Sequence, residues 1–352
     1  MNFLHYADSR YLTNHITSRD GEIRLAQQLQ LSDSSDLELN LAHFQQQGAK
    51  FVLLGIPEDI GPRANLGRGG ADTGWDAFLS RFCNLQQNGF IKGEEIALLG
   101  HIKCEDLQQK SLNLDLSNQS DLSQIRQLVE QLDQRVSKVI EQIVLHDLTP
   151  IVIGGGHNNA YPILKGVSAA KGRGIAAVNL DPHTDFRALE GRHSGNGFNY
   201  AADQGYLSHY FSLGMHELKN SAANIAGLNE KHFPFISYQQ IWSRRELSFE
   251  QALKIASCYL GDSCAPIGIE LDLDSISFMP ASAYTNCGVS LCDAEFYIDQ
   301  MAKLPNSCYL HLAEGAPIQH PAGIEAGISD VGQAYAALVT SFIQSKQNIG
   351  ED

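Results

Sequence analysis

Three apolar runs, each closing on residues that bind cations, constrain this chain more than any other feature. The first occupies residues 175–178, bounded by Gly172 and Gly174, and feeds into Asn179-Leu180-Asp181-Pro182-His183-Thr184-Asp185-Phe186-Arg187. A short apolar run between turn signals reads as a buried strand. Continued extended, it places Asp181, His183 and Asp185 at i, i+2 and i+4, on one face. Two carboxylates and an imidazole converging on one point repel and desolvate badly unless a cation sits among them. Oxygen and imidazole together suit Mn, Fe, Ni or Zn, and no thiolate stands nearby. In isolation a solvated polar loop has the same composition.

Two further runs change that balance. Residues 150–153 end in Gly154-Gly155-Gly156-His157-Asn158-Asn159, where glycines permit a sharp turn that delivers His157. Residues 265–274 close on Asp272-Leu273-Asp274, carboxylates again two apart. Ligands of open α/β sheets collect beyond the carboxyl ends of the strands. Three strand ends then offer six donors, His157, Asp181, His183, Asp185, Asp272 and Asp274, a set better suited to two divalent ions than to one.

These motifs, in this order, resemble the metal motifs of the arginase/agmatinase/formimidoylglutamase (ureohydrolase) family. The resemblance spans about residues 51–343, and Asn65-Leu66-Gly67-Arg68-Gly69-Gly70-Ala71 resembles the family's early glycine-rich loop. It implies a three-layer arginase-like α/β fold and two Mn²⁺ per chain. His157 and Asp185 would hold one ion and His183 and Asp274 the other, with Asp181 and Asp272 bridging. The ions would activate a shared water for attack on the planar carbon of an amidine or guanidine. Glu314, in Leu312-Ala313-Glu314-Gly315, matches the family carboxylate that pairs with the amidine nitrogens, a fork-to-fork geometry.

The chain also departs from the family pattern. Phe198 stands where some members carry a proton-shuttling histidine, which leaves His193 or His216 as substitutes. Gly156 replaces a frequent aspartate, as in the formimidoylglutamase branch. Lys219 stands where arginine-hydrolysing members have a carboxylate; it would repel an ammonium and attract a carboxylate. Arg187 and Arg192 are expected to flank the same mouth, and Asn196 to contact substrate. The resemblance therefore implies a C–N hydrolase of a linear amidine, first N-formimidoyl-L-glutamate, giving glutamate and formamide. Arginase, agmatinase or guanidino-acid hydrolase activity is the alternative within the class. A metal-binding but inactive homologue, serving as an oligomeric partner or sensor, is the alternative outside it. Deacetylases of related fold fit a set this rich in aspartate less well.

The rest of the chain is compatible with these expectations. At 352 residues it can bury one large core, and 43% apolar with 18% charged residues is a globular composition. A net charge of −15 argues against nucleic acid or an anionic membrane as the partner. No apolar run approaches the roughly 20 residues of a bilayer span, and the first ten residues lack a signal-peptide pattern. Seven cysteines without a C-x-x-C pair suggest a reducing cytoplasm. The family implies a homo-oligomer acting on a small molecule.

Residues 1–48, polar and Gln- and Ser-rich, read as an N-terminal extension, packed on the domain or a neighbouring subunit or partly mobile. Residues 49–352 form one domain. Strands are expected at 51–56, 96–100, 210–214 and 309–312, besides those feeding the motifs. Helices are expected at 71–83, 161–170, 248–260, 293–303 and 328–344. Ile125, Val129, Leu132, Val136, Ile140, Ile143 and Val144 predict a long helix over 121–145, capped by Asp121 or Ser123. Such alternation predicts a mostly parallel sheet with helices on both faces.

Overall fold

Strands buried on both faces carry apolar side chains in both directions and belong inside a parallel sheet. The computed structural model shows this directly: every residue of Phe51–Gly55, Ile175–Leu180 and Ile267–Asp272 is buried. It describes residues 3–347, so residues 1–2 and 348–352 of the two predicted segments lie outside it.

Among the described residues ten strands form one sheet. In chain order they are β1 (Leu4–Tyr6), β2 (Gln30–Leu31), β3 (Phe51–Gly55), β4 (Ile96–Ile102) and β5 (Thr149–Ile153), followed by β6 (Ile175–Leu180), β7 (Leu207–Met215), β8 (Phe235–Ser237), β9 (Ile267–Asp272) and β10 (Ser307–Ala313). Their spatial order is β1-β4-β3-β5-β10-β9-β6-β7-β8, with β2 also pairing β4. Only the β1–β4 pair is antiparallel among these.

The chain runs from β5 to β6, outward through β7 and β8, and returns to insert β9 and β10 between β5 and β6. The carboxyl ends of β5, β10, β9 and β6 therefore stand side by side, where strand order reverses and ligands collect.

Alternate strand residues feed two cores. Leu53, Ile151 and Leu312 face helices Gly74–Phe82, Phe249–Asp262, Leu291–Ala302 and Ile324–Gln347. Val52, Val152 and Ala177 face Gln119–Leu145 and Ala160–Lys171 on the other side. Trp75, Phe78 and Phe82 are buried together, as their spacing predicts. The long helix starts earlier than expected: Asn118, not Asp121 or Ser123, caps it by accepting from the Ser120 amide.

The N-terminal extension is built into the sheet. β1 pairs β4 in the register Leu4↔Ile102, His5↔His101 and Tyr6↔Gly100. Leu41 and Phe44 of helix Leu37–Gln46 are fully buried. Among the described residues no helix is long and apolar enough to cross a membrane.

Candidate metal centre

The strands end at or just before the first candidate ligand of each motif. β6 ends at Leu180, and Asp181 Oδ1 accepts from the His183 amide at 2.6 Å. At the end of β9, Asp272 Oδ1 accepts in the same way from the Asp274 amide at 2.7 Å. Each is an Asx turn, in which a carboxylate replaces the lost strand partner and bends the backbone. Asp185 then adopts a left-handed φ of 46°. The expected strand alternation is corrected here: the side chains converge because the chain turns, not because it stays extended.

Their convergence is close. His157 Nδ1 lies 3.2 Å from Asp181 Oδ2, 3.1 Å from Asp185 Oδ2 and 3.4 Å from Asp272 Oδ2. His183 Nδ1 lies 3.5 Å from Asp181 Oδ1 and 3.1 Å from Asp274 Oδ2. Asp181 thus turns one oxygen to each of two groups, His157–Asp181–Asp185–Asp272 and Asp181–His183–Asp274.

Buried His157 Nδ1 has three carboxylate oxygens around it yet makes no hydrogen bond of proper direction, and Asp274 Oδ1 is also without a partner. Donors about 2.1 Å from one cation in octahedral array stand roughly 3 Å apart, close to the separations here. The residues therefore fit a pair of divalent ions.

Electrostatics agree. Burial pulls the His157 pKa down, but the surrounding Asp181, Asp185, Asp272 and Glu270 carry it well above its ordinary value. Burial, then the charges of Asp274 and Asp181, push the Asp272 carboxyl well up. Without cations the cluster holds protons to relieve its own repulsion.

The supports of the centre include residues that motif spacing did not reveal. Glu270, fully buried on β9, accepts from Tyr309 Oη at 2.6 Å, pairs with His311 Nδ1 at 2.6 Å and reaches His157 Nε2 at 3.4 Å. Its signal was a glutamate inside an apolar run, two residues before Asp272. A carboxylate behind an imidazole fixes ring orientation and raises basicity.

Phe198 packs edge-on to the His157 ring at 5.3 Å and stacks on Tyr210 at 4.4 Å. Buried Glu58 accepts from the amides of Gly156 at 2.8 Å and Gly61 at 3.0 Å, and from Asn159 Nδ2 at 2.7 Å, locking the turn that presents His157. A Cβ at Gly156 would meet Pro62 Cδ at 2.2 Å, so no side chain fits at this departure from the family pattern.

A cavity of ≈ 220 Å³ opens above the cluster, lined by Asp185, Arg187, Lys219, Asp272, Asp274 and Glu314, among others. Glu314, at a left-handed φ of 67° beyond β10, accepts from the His157 amide at 2.8 Å and from the Ser282 hydroxyl. Burial, with the charges of Asp274 and Asp185, pushes its pKa up to about 8. Arg187 and Lys219 are exposed, and neither has an ion-pair partner among the described residues. The Arg187 guanidinium donates to Asn65 Oδ1 at 3.3 Å.

The loop after the first motif differs from expectation. His193 is fully buried; its Nδ1 accepts from the Gly195 amide at 3.1 Å and its Nε2 faces Glu190 at 3.2 Å. Burial and the cations Arg126, Arg192 and Arg187 push its pKa down to about 3. Asn196 Oδ1 accepts from Arg192 at 2.7 Å, and its Nδ2 donates to the Gly191 carbonyl at 2.8 Å. Arg192 itself is buried against Asp133 at 3.0 Å rather than flanking the mouth. None of the three lines the cavity, and neither does His216, whereas Ser194 and Gly195 do. The loop turns its larger polar groups inward, a choice that sequence proximity does not reveal.

Residues 49–341 match the model of the Arginase family. A formimidoylglutamase of Geobacillus thermodenitrificans is 28% identical over 313 residues, 87% of each chain. A formimidoylglutamase structure from Bacillus subtilis superposes with a TM-score of 0.73 at 15% identity, covering 94% of each chain. A Trypanosoma cruzi formiminoglutamase structure with Mn²⁺ gives a TM-score of 0.67 at 18% identity, covering 92% of this chain and 98% of that one. With these matches over a shared three-layer α/β fold, the chain belongs to the arginase family.

Proposed function

We propose that this protein hydrolyses N-formimidoyl-L-glutamate to L-glutamate and formamide at a centre of two Mn²⁺ ions held by His157, Asp181, His183, Asp185, Asp272 and Asp274. The supporting observation is that one cavity is lined both by the buried carboxyl of Glu314 and by the exposed cations Arg187 and Lys219. Bound there, the ions would act as Lewis acids that lower the pKa of a shared water toward neutrality.

The chain's own residues do the rest. Glu314 faces the amidinium, and pairing would offset the cost of its burial. Arg187 and Lys219 receive the substrate carboxylates, which fixes the amidine end over the metal ligands. Water adds to the amidine carbon, the bond to the glutamate nitrogen breaks, and that nitrogen leaves as the amine. A cationic substrate such as agmatine would meet two repelling cations at the same mouth. His193 and Asn196, occupied in the adjoining loop, keep no role in this reading beyond holding it. The free state of all seven cysteines suits a reducing cytoplasm; a homo-oligomer is part of the proposal through family membership alone.

A panel of amidines and guanidines, assayed with Mn²⁺ for formamide, urea and ammonia, tests this. Formimidoylglutamate should give formamide with the highest kcat/KM. Urea from an anionic guanidino acid would shift the assignment within the family, and silence throughout would favour an inactive homologue.

A further inference from the structure

We infer that His5, His101 and Glu105 form a second site, separate from the catalytic cavity, for one divalent transition-metal ion of the zinc class. The site lies across β1 and β4 at one edge of the sheet, with β3 between it and β5.

His5 and His101 are direct partners across the antiparallel β1–β4 pair, so their side chains share a face. Their ring centroids are 4.9 Å apart. Glu105, opening the helix Glu105–Ser111, brings Oε1 to 2.9 Å from His5 Nε2 and 3.9 Å from His101 Nε2. One donor atom from each residue falls within 4.8 Å of the others.

The wiring behind His101 suits a ligand. Its Nδ1 lies 3.0 Å from the Tyr11 hydroxyl, which also accepts from Trp75 Nε1 at 2.7 Å. When His101 donates to that oxygen, Nε2 presents a lone pair toward His5 and Glu105.

Two imidazoles and a carboxylate, with water completing a tetrahedron on the exposed side, form a zinc-type donor set. The softer imidazoles distinguish it from the aspartate-rich cavity. An ion there would tie residue 5 of a three-residue edge strand to both β4 and the following helix.

The test titrates Mn²⁺-loaded protein with Zn²⁺ against a chromophoric chelator, comparing the unaltered protein with His5→Ala and Glu105→Gln. Both substituted side chains are largely exposed, so either variant suffices if the other fails to fold. The unaltered protein should take one more equivalent of Zn²⁺ than His5→Ala. Glu105→Gln should weaken that equivalent by about tenfold or more. Zn²⁺ should raise Tm only where the three donors are intact. Exchange of Zn²⁺ into the catalytic cavity would occur in all three proteins and cancel in the difference. Identical titrations and Tm shifts for the unaltered protein and the variants would overturn the site.

Discussion

Two buried polar clusters lie close together in this molecule and settle their charges in opposite ways. Around Arg192, one cation meets one anion: Nε donates to Asp133 at 3.0 Å, Nη1 to Asn196 at 2.7 Å and Nη2 to the Asn158 carbonyl at 2.7 Å. Tyr161 and Tyr200 cover the guanidinium at 4.5 and 5.0 Å. Every Arg192 nitrogen donates a hydrogen bond, and Asp133 Oδ1 and Asn158 Oδ1 are left without partners. Around His157 three aspartates converge, and Asp274 joins Asp181 around His183, with no Lys or Arg in ion-pair contact among the described residues; His157 Nδ1 and Asp274 Oδ1 are left without hydrogen bonds. The first cluster balances its charge within the polypeptide; the second would do so only with cations bound. Residue type does not separate structure from chemistry here. Balance of charge does.

The comparison breaks most sharply at Asp181, which serves both ligand groups. Asp181→Ala should lower kcat/KM at least roughly a thousandfold. In chelator it should leave Tm nearly unchanged, because relief of the repulsion with Asp185 and Asp272 is set against loss of the hydrogen bond from the His183 amide. Steady-state kinetics and thermal denaturation in chelator check the two halves together.

Arg192→Met should do the reverse. Asp133, whose pKa burial already pushes up to about 6, would be left without its cation. The expected loss is about 3–5 kcal/mol in urea denaturation, with metal content of the folded protein unchanged. Adding Asp133→Leu should restore much of it.

Lys219→Glu has the smallest expected effect, because the lysine is exposed. KM for an anionic amidine should rise about tenfold with kcat little altered, while a cationic guanidine is spared. An unchanged preference would remove Lys219 from substrate selection.

How much of this could be read from the chain depends on where each partner comes from. The convergence of the six candidate ligands was legible because apolar runs stop at them, and the long helix because its apolar residues recur at helical spacing. The turns at Asp181 and Asp272 were not, since an i, i+2 pair of polar residues fits an extended strand equally well. Glu270 and His311 were hidden inside runs that read as core. β1 and β2, of three and two residues, carry no periodicity of their own and exist through pairing with β4. His193, Asn196 and Arg192 lie next to a motif in sequence, but burial against Asp133 and the loop carbonyls turns them away from the cavity. Arg187 and Lys219, equally polar and on similar loops, reach it. Only tertiary packing decides between these outcomes.

The most direct measurement is anomalous diffraction at the manganese edge from crystals grown with Mn²⁺. The account predicts two peaks per chain, one among His157, Asp181, Asp185 and Asp272 and the other among Asp181, His183 and Asp274. A single peak, or none within reach of both Asp181 oxygens, would contradict it.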